Sequence, residues 1–302
     1  MAQTLKIWTR LGLGAAFAGV ALAGCGDGGE AGEAAQSDSD ITVSSVAGDT
    51  GEGELGALGE GEGGEGEGEA GEGAGGEGEG GEGEGGVSIA AAASDPVVYS
   101  TAIAIAEAHV LAARDAYALG ETAAAAELFA HPVSEVLADM APIFDAQGVA
   151  SFTGLFADAS LAALEGATPE DISARVDEIT ATLRDAETKR PLAEDVSDID
   201  IYAGVAADLF ERASDMYRAA AEVDRYEPYL DGYGFYKAGE AAFERAESAS
   251  GPAEARVILA LSATRDALSA AYPTAEKPDA LDANTGAIAA AVAAAQLELS
   301  GD

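Results

Sequence analysis

The strongest constraint on the fold is a stretch that cannot fold. From Gly26 to Gly86 the chain holds eighteen Asp and Glu and no Lys or Arg, and from Gly51 onward it is almost entirely glycine and glutamate, as in "GEGEGEAGEGAGGEGEGGEGEGG". No apolar period, no aromatic ring and a high charge density leave nothing to offset the entropy of ordering it. The segment 25–86 is therefore expected to be a disordered acidic tether. As a glycine-rich coil it would span about 45 Å, and glutamate repulsion would stretch it further. Any folded body is confined to residues 87–302, for which a radius of gyration of about 17 Å is expected.

Within 87–302 strand signals are few and alanine is everywhere, so the expected class is all-α: an up-and-down helical bundle or an array of helical hairpins. "VVYSTAIAIAEAHVLAARDAYALG" spaces Ile103, Ala106, Val110, Ala113 and Tyr117 at 3-4-3-4, one helical face. Thr168 reads as an N-cap before Pro169 and two acids, opening a helix whose core face is Ile172, Val176, Ile179 and Leu183. Further helices are expected from about Asp198, from Pro252 (burying Val257, Leu261, Thr264 and Leu268), and over about 281–299 around Ile288 and Val292. Pro191 and the "AEDVSD" that follows mark a sub-boundary near 191–197. This region carries thirteen basic and thirty-seven acidic residues. A net of −24 excludes a nucleic-acid face, which requires a basic surface.

The N-terminus carries an address. Lys6 and Arg10 precede "LGLGAAFAGVALAG", an apolar run of signal-peptide length that ends in Leu22-Ala23-Gly24-Cys25. This resembles the lipobox of bacterial lipoproteins. The resemblance implies a signal peptide at 1–24, diacylglycerol on Cys25, cleavage before it and acylation of the new amine. The protein would then be anchored in the membrane by several acyl chains. Cys25 is the sole cysteine, so no internal disulfide competes for it. In that family an Asp directly after the cysteine retains the protein at the inner membrane. The residue here is Gly26, which directs the expectation to the outer membrane, facing the periplasm.

The chain has two histidines, and both flank one turn. Gly120 reads as the C-cap of the first long helix and "ETAAAAELFA" resumes at once, so an αα-hairpin is expected. His109 lies eleven residues before Gly120 and His131 eleven after, which puts them at equal height in antiparallel helices. With Glu135, two imidazoles and a carboxylate form a credible ligand set for iron, zinc or copper. A structural reading stands beside it. Pro132 suits a first helical position, which makes His131 the residue at a helix entrance, with the preceding helix ending by Ala130 and Glu135 complementing the dipole.

The segment "ARDAYALGETAAAAELFAHP" resembles the middle of a tetratricopeptide repeat, with Tyr117, Leu119 and Gly120 before the turn and Ala125 and Phe129 after it. No second copy follows at that family's period. More distantly, the isolated His–carboxylate motif is similar to imelysin-like periplasmic proteins, whose Gly-x-His-x-x-Glu signature implies a role in iron uptake. Here the carboxylate sits one place later and Phe129 stands where the glycine would be.

A third feature is "RYEPYLDGYGFYKAGE". Tyr226, Tyr229, Tyr233 and Tyr236 recur at 3-4-3 and would line one helical face; such an aromatic stripe is more often core, and the other reading is a candidate ligand or partner surface. Gly232 and Gly234 weaken that helix by about 1 kcal/mol each against alanine, which points to close packing or to an irregular, ligand-facing backbone. No phosphate loop, no Gly-x-Ser-x-Gly and no His-Glu-x-x-His is present, so no catalytic residue is assigned. Two functions follow from these features. One is a non-enzymatic, membrane-anchored binding module for a protein of the envelope or a small ligand. The other is an envelope metal-binding protein using His109, His131 and Glu135.

Overall fold

The computed structural model describes residues 86–301. Cys25, the signal segment and the Gly/Glu stretch to residue 85 lie outside the described residues. The described chain is all-helical, as the alanine-rich periodicity predicts. In order, α1 spans Ile89–Ala92, α2 Pro96–Ala118 and α3 Thr122–Pro132; a π-helical turn, Val133–Leu137, then leads into α4, Ala138–Gln147. They are followed by α5 (Thr153–Leu164), α6 (Pro169–Glu187), α7 (Asp198–Val223), α8 (Tyr226–Ala249), α9 (Ala255–Ala271) and α10 (Thr285–Ser300).

Helix α2 is the axis of the bundle, touching α3, α6, α7 and α8. It is apolar and long enough to cross a membrane by composition, yet most of it is enclosed by these neighbours. All five positions of the expected face are buried, and Ala102, Ala108 and Ala112 on its other sides are buried too. Small side chains all round are what allow four helices to approach one helix. Asp95 starts α2 by accepting from the amides of Val97 and Val98, and Pro96 fills the first turn. Gly120 ends the segment with φ +89°, a left-handed turn that suits glycine.

The cap of α6 is as expected: the Thr168 hydroxyl accepts from the Asp171 amide, and Ile172, Val176, Ile179 and Leu183 are buried. Ser197 and Asp200 form a reciprocal capping box that opens α7. Pro191 lies in the link from α6 to α7, and both of those helices pack on α2. Helix α9 begins at Ala255, three residues after Pro252, and Val257 is only half-buried there. Helix α10 begins at Thr285, capped by the Asn284 side chain. Helix α5 was not anticipated from the sequence, since its short apolar run lacks a capping side chain.

One local expectation is overturned. Pro132 does not begin a helix, His131 is not at an entrance and the preceding helix does not end by Ala130; α3 runs on through Pro132. A proline in a helix interior removes one amide donor and crowds the carbonyl four residues back. The turn that follows is widened: the Ala138 amide donates to the Val133 carbonyl, an i to i−5 bond. The helix therefore carries His131 and Glu135 on one continuous segment.

Helix α8 sits tightly in the bundle because of its glycines. A Cβ on Gly234 would stand 2.5 Å from the Ala108 carbonyl oxygen of α2 and 3.0 Å from the Ala112 Cβ. A Cβ on Gly232 would collide with the Tyr272 hydroxyl. A Cβ on Gly239 would meet the Phe210 ring at 2.8 Å. Close packing, and not an irregular backbone, is the reason for glycine at these positions. The contact at Gly234 has a second effect: it brings the start of α8 against the stretch of α2 that holds His109.

Candidate metal centre

Three helices converge at this point. Helix α2 supplies His109, whose side chain is 4% exposed. Its Nδ1 lies 2.9 Å from the Ile105 carbonyl oxygen one turn back. A carbonyl only accepts, so Nδ1 carries the proton and the Nε2 lone pair is left for another partner. The ring is held edge-on against Phe235 of α8, with centroids 5.6 Å apart. This fixes both the tautomer and the direction of Nε2.

Helix α3 supplies His131. The two imidazoles meet at the height that equal distance from Gly120 predicts, with ring centroids 5.8 Å apart and planes at 76°. Glu127 lies one turn before His131 and Glu135 one turn after, so all three share a face. His131 Nε2 is 3.5 Å from Glu127 Oε1, and His131 Nδ1 is 3.8 Å from Glu135 Oε1. The second oxygen of Glu135, Oε2, is 3.5 Å from His109 Nε2. Glu135 thus stands between the two rings, addressing one nitrogen of each.

Helix α8 supplies the third member, Asp231. One ligand atom from each of His109, His131 and Asp231 lies within 4.8 Å of the others. Burial is the largest influence on the Asp231 carboxyl and raises its pKa. His109 and His131 oppose that rise, while Glu135 and Glu127 add to it. Among the described residues no donor hydrogen-bonds this carboxylate, and Glu127 and Glu135 face the two imidazoles. Three carboxylates gather around two imidazoles at separations too long for strong hydrogen bonds. A bound cation would relieve that repulsion, and about 3.3 Å between donors, the edge of a tetrahedral zinc site, is reached by a small inward closure. Glu107, also on α2, takes no part: it is buried and accepts from Arg184 of α6 at 2.7 Å.

Sequence spacing identified His109, His131 and Glu135, and the structure brings all three together. It did not identify Asp231 or Phe235, which lie about a hundred residues further on. A faint signal was present. Asp231 directly precedes Gly232 in a stretch rich in aromatics, and an acid beside glycines that permit close approach is a candidate for the interior.

The tyrosine stripe is core, and its reading as a ligand or partner surface is corrected. Tyr229, Tyr233 and Tyr236 are buried, and Tyr226 is half-buried. Their hydroxyls are occupied: Tyr226 donates to the Ala275 carbonyl, Tyr229 to the Thr274 carbonyl, Tyr233 to Asp115 and Tyr236 to Glu240. Burial raises the pKa of each phenol, to about 12 for Tyr226 and Tyr236. With Tyr272 packed on Tyr229 and Tyr236, and itself donating to the Ala213 carbonyl of α7, they form an aromatic core and not a contact surface. The 3-4-3 spacing gave the face correctly but not which way it turns.

No family model, curated protein or solved structure matches this chain.

Proposed function

We propose that the helical domain binds one divalent transition-metal ion through His109, His131 and Asp231, with Glu135 completing the donor set, on a protein held at the cell envelope by lipid on Cys25. The observation that carries this reading is the orientation of the two imidazoles. Each directs one nitrogen at Glu135, and each has an outer partner for the other: the Ile105 carbonyl for His109 and Glu127 for His131. Metal-ligating histidines characteristically have their second nitrogen engaged in this way, which orients the ring and raises its basicity. Nitrogen and oxygen donors without thiolate suit zinc, ferrous iron or copper(II).

The function is read as binding, since no phosphate loop, Gly-x-Ser-x-Gly or His-Glu-x-x-His in the sequence assigns a reaction. The alternative of a docking module loses the tyrosines that would have formed its surface, because their hydroxyls are occupied inside the protein. The lipobox at Leu22–Cys25 supports the envelope location.

Calorimetric titration of the full chain with zinc, copper(II) and ferrous ion tests the proposal. One site of roughly 1:1 stoichiometry is expected above the weak, multiple heat of exposed glutamates. His109→Ala and His131→Ala should each abolish it. Absence of that site, or its survival in both variants, would overturn the reading.

A further inference from the structure

We infer that the ion at this centre is exchangeable cargo, taken from solution as a hydrated divalent cation and not as an anionic chelate; the inference rests on the metal-binding reading above. Three observations support it. The first is that the two sides of the centre differ. His109 and Phe235 form a buried inner wall, whereas the His131 and Glu135 side chains are each 31% exposed and Glu127 is 65% exposed. The outermost donor, Glu135, lies on this exposed side, so water can displace it and reach the ion. Structural zinc sites instead keep all four ligands closed around the metal.

The second is that the fold does not depend on the ion. The helices that supply the ligands already interlock, through Gly234 of α8 against Ala108 and Ala112 of α2, and through the Gly120 turn that joins α2 to α3. The ligand atoms already lie within 4.8 Å of one another in this packing. Binding is then a local closure and release a local opening, with no unfolding step between them.

The third is electrostatic. Glu127, Glu135 and Asp231 present three carboxylates against imidazoles, within a chain of net charge −40. Such a field concentrates small cations and repels negatively charged complexes such as metal–citrate. The exposed rim of Glu127 and Glu135 is the side from which an ion enters.

The test uses Co²⁺ as the probe with the full-length protein. Its ligand-field absorption reports imidazole coordination, which the Gly/Glu-rich segment, having no histidine, does not supply. On mixing Co²⁺-loaded protein with excess EDTA, the band is expected to decay within seconds, at a rate independent of EDTA concentration. The association rate should fall several-fold between about 10 mM and 200 mM salt, where the Debye length shortens from about 30 Å to below 10 Å. Co²⁺ presented with excess citrate should bind only as the free ion, giving the same spectrum as Co²⁺ alone at a lower apparent affinity. A band that persists for hours in EDTA, an association rate indifferent to salt, or a distinct ternary citrate spectrum would each overturn the inference while leaving metal binding intact. Absence of the band, or an unchanged band in His131→Ala, would instead remove the metal-binding reading on which it rests.

Discussion

Substituting Gly234→Ala adds a single methyl group at the closest contact between α8 and α2. The new Cβ would lie 2.5 Å from the Ala108 carbonyl oxygen and 3.1 Å from its carbon, atoms of backbone that cannot rotate away. Overpacking of this kind costs about 1–3 kcal/mol, and the upper end applies where backbone must move. Alanine in place of glycine recovers about 1 kcal/mol of helix propensity. The net loss is then about 2 kcal/mol, which for a domain of this size lowers Tm by about 4–8 °C. Gly154 in α5 is the matched control, because nothing lies within 4 Å of a Cβ there. Gly154→Ala should leave Tm unchanged or raise it by up to about 4 °C. Asp231 lies three residues before Gly234 on α8, so the displacement should also draw its carboxylate from His109 and weaken metal affinity. Thermal melts by circular dichroism, with and without zinc, read both effects. If Gly234→Ala melts at or above the wild-type temperature, the close approach of α8 and α2 does not hold Asp231 in place, and that part of the reasoning fails.

Asp231→Asn should stabilise the metal-free protein while abolishing the tight site. The folded-state pKa of Asp231 is raised by burial, so its ionised form destabilises the fold once pH exceeds the unfolded carboxyl range of about 3.9. The advantage of the variant should therefore be present at pH 7 and shrink as pH falls toward that range, and equal melts at pH 7 would contradict it. Glu127→Gln should weaken zinc affinity by about tenfold, the lower end for an outer partner, since Glu127 is largely exposed; unchanged calorimetric affinity would remove it from the site. Glu187→Ala should cost about 2 kcal/mol by removing the carboxylate partner of Arg245, less than for a fully buried pair because Arg245 is 37% exposed and keeps Tyr202 as a partner, and should leave metal affinity unaltered. Cys25→Ala should release the protein from membranes and stop palmitate incorporation, and continued labelling would refute the lipobox reading.

The parts of the fold legible in the sequence were those governed by local period and local chemistry. Thr168 before Pro169, and Gly120 at a positive φ, are decided within a few residues, and both capping arrangements are present. The meeting of His109 and His131 was legible for the same reason, because a hairpin with a short turn fixes which residues share a height. What lay beyond reach was decided by tertiary packing. Asp231 joins the site because Gly234 lets α8 approach α2, and nothing near "YLDGYGFY" indicates that its neighbour is Ala108. Pro132 was misread because a proline after a histidine fits a helix start as well as a helix interior. Tertiary structure decides for the interior, and the turn directly after it is widened, closed by the Ala138 amide on the Val133 carbonyl. The tyrosines show the same limit: periodicity defines a face, but its burial depends on distant neighbours, Asp115 of α2 at Tyr233 and Tyr272 at Tyr229 and Tyr236.

The most direct measurement is X-ray absorption at the zinc edge of the full-length protein loaded with one equivalent of zinc. The account predicts two imidazole nitrogens at about 2.0–2.1 Å with carboxylate or water oxygen completing the shell, and the loss of imidazole scattering in a double His109→Ala, His131→Ala variant. A first shell of oxygen alone in the wild-type protein, identical to that of the double variant, would place the ion on exposed carboxylates and contradict it.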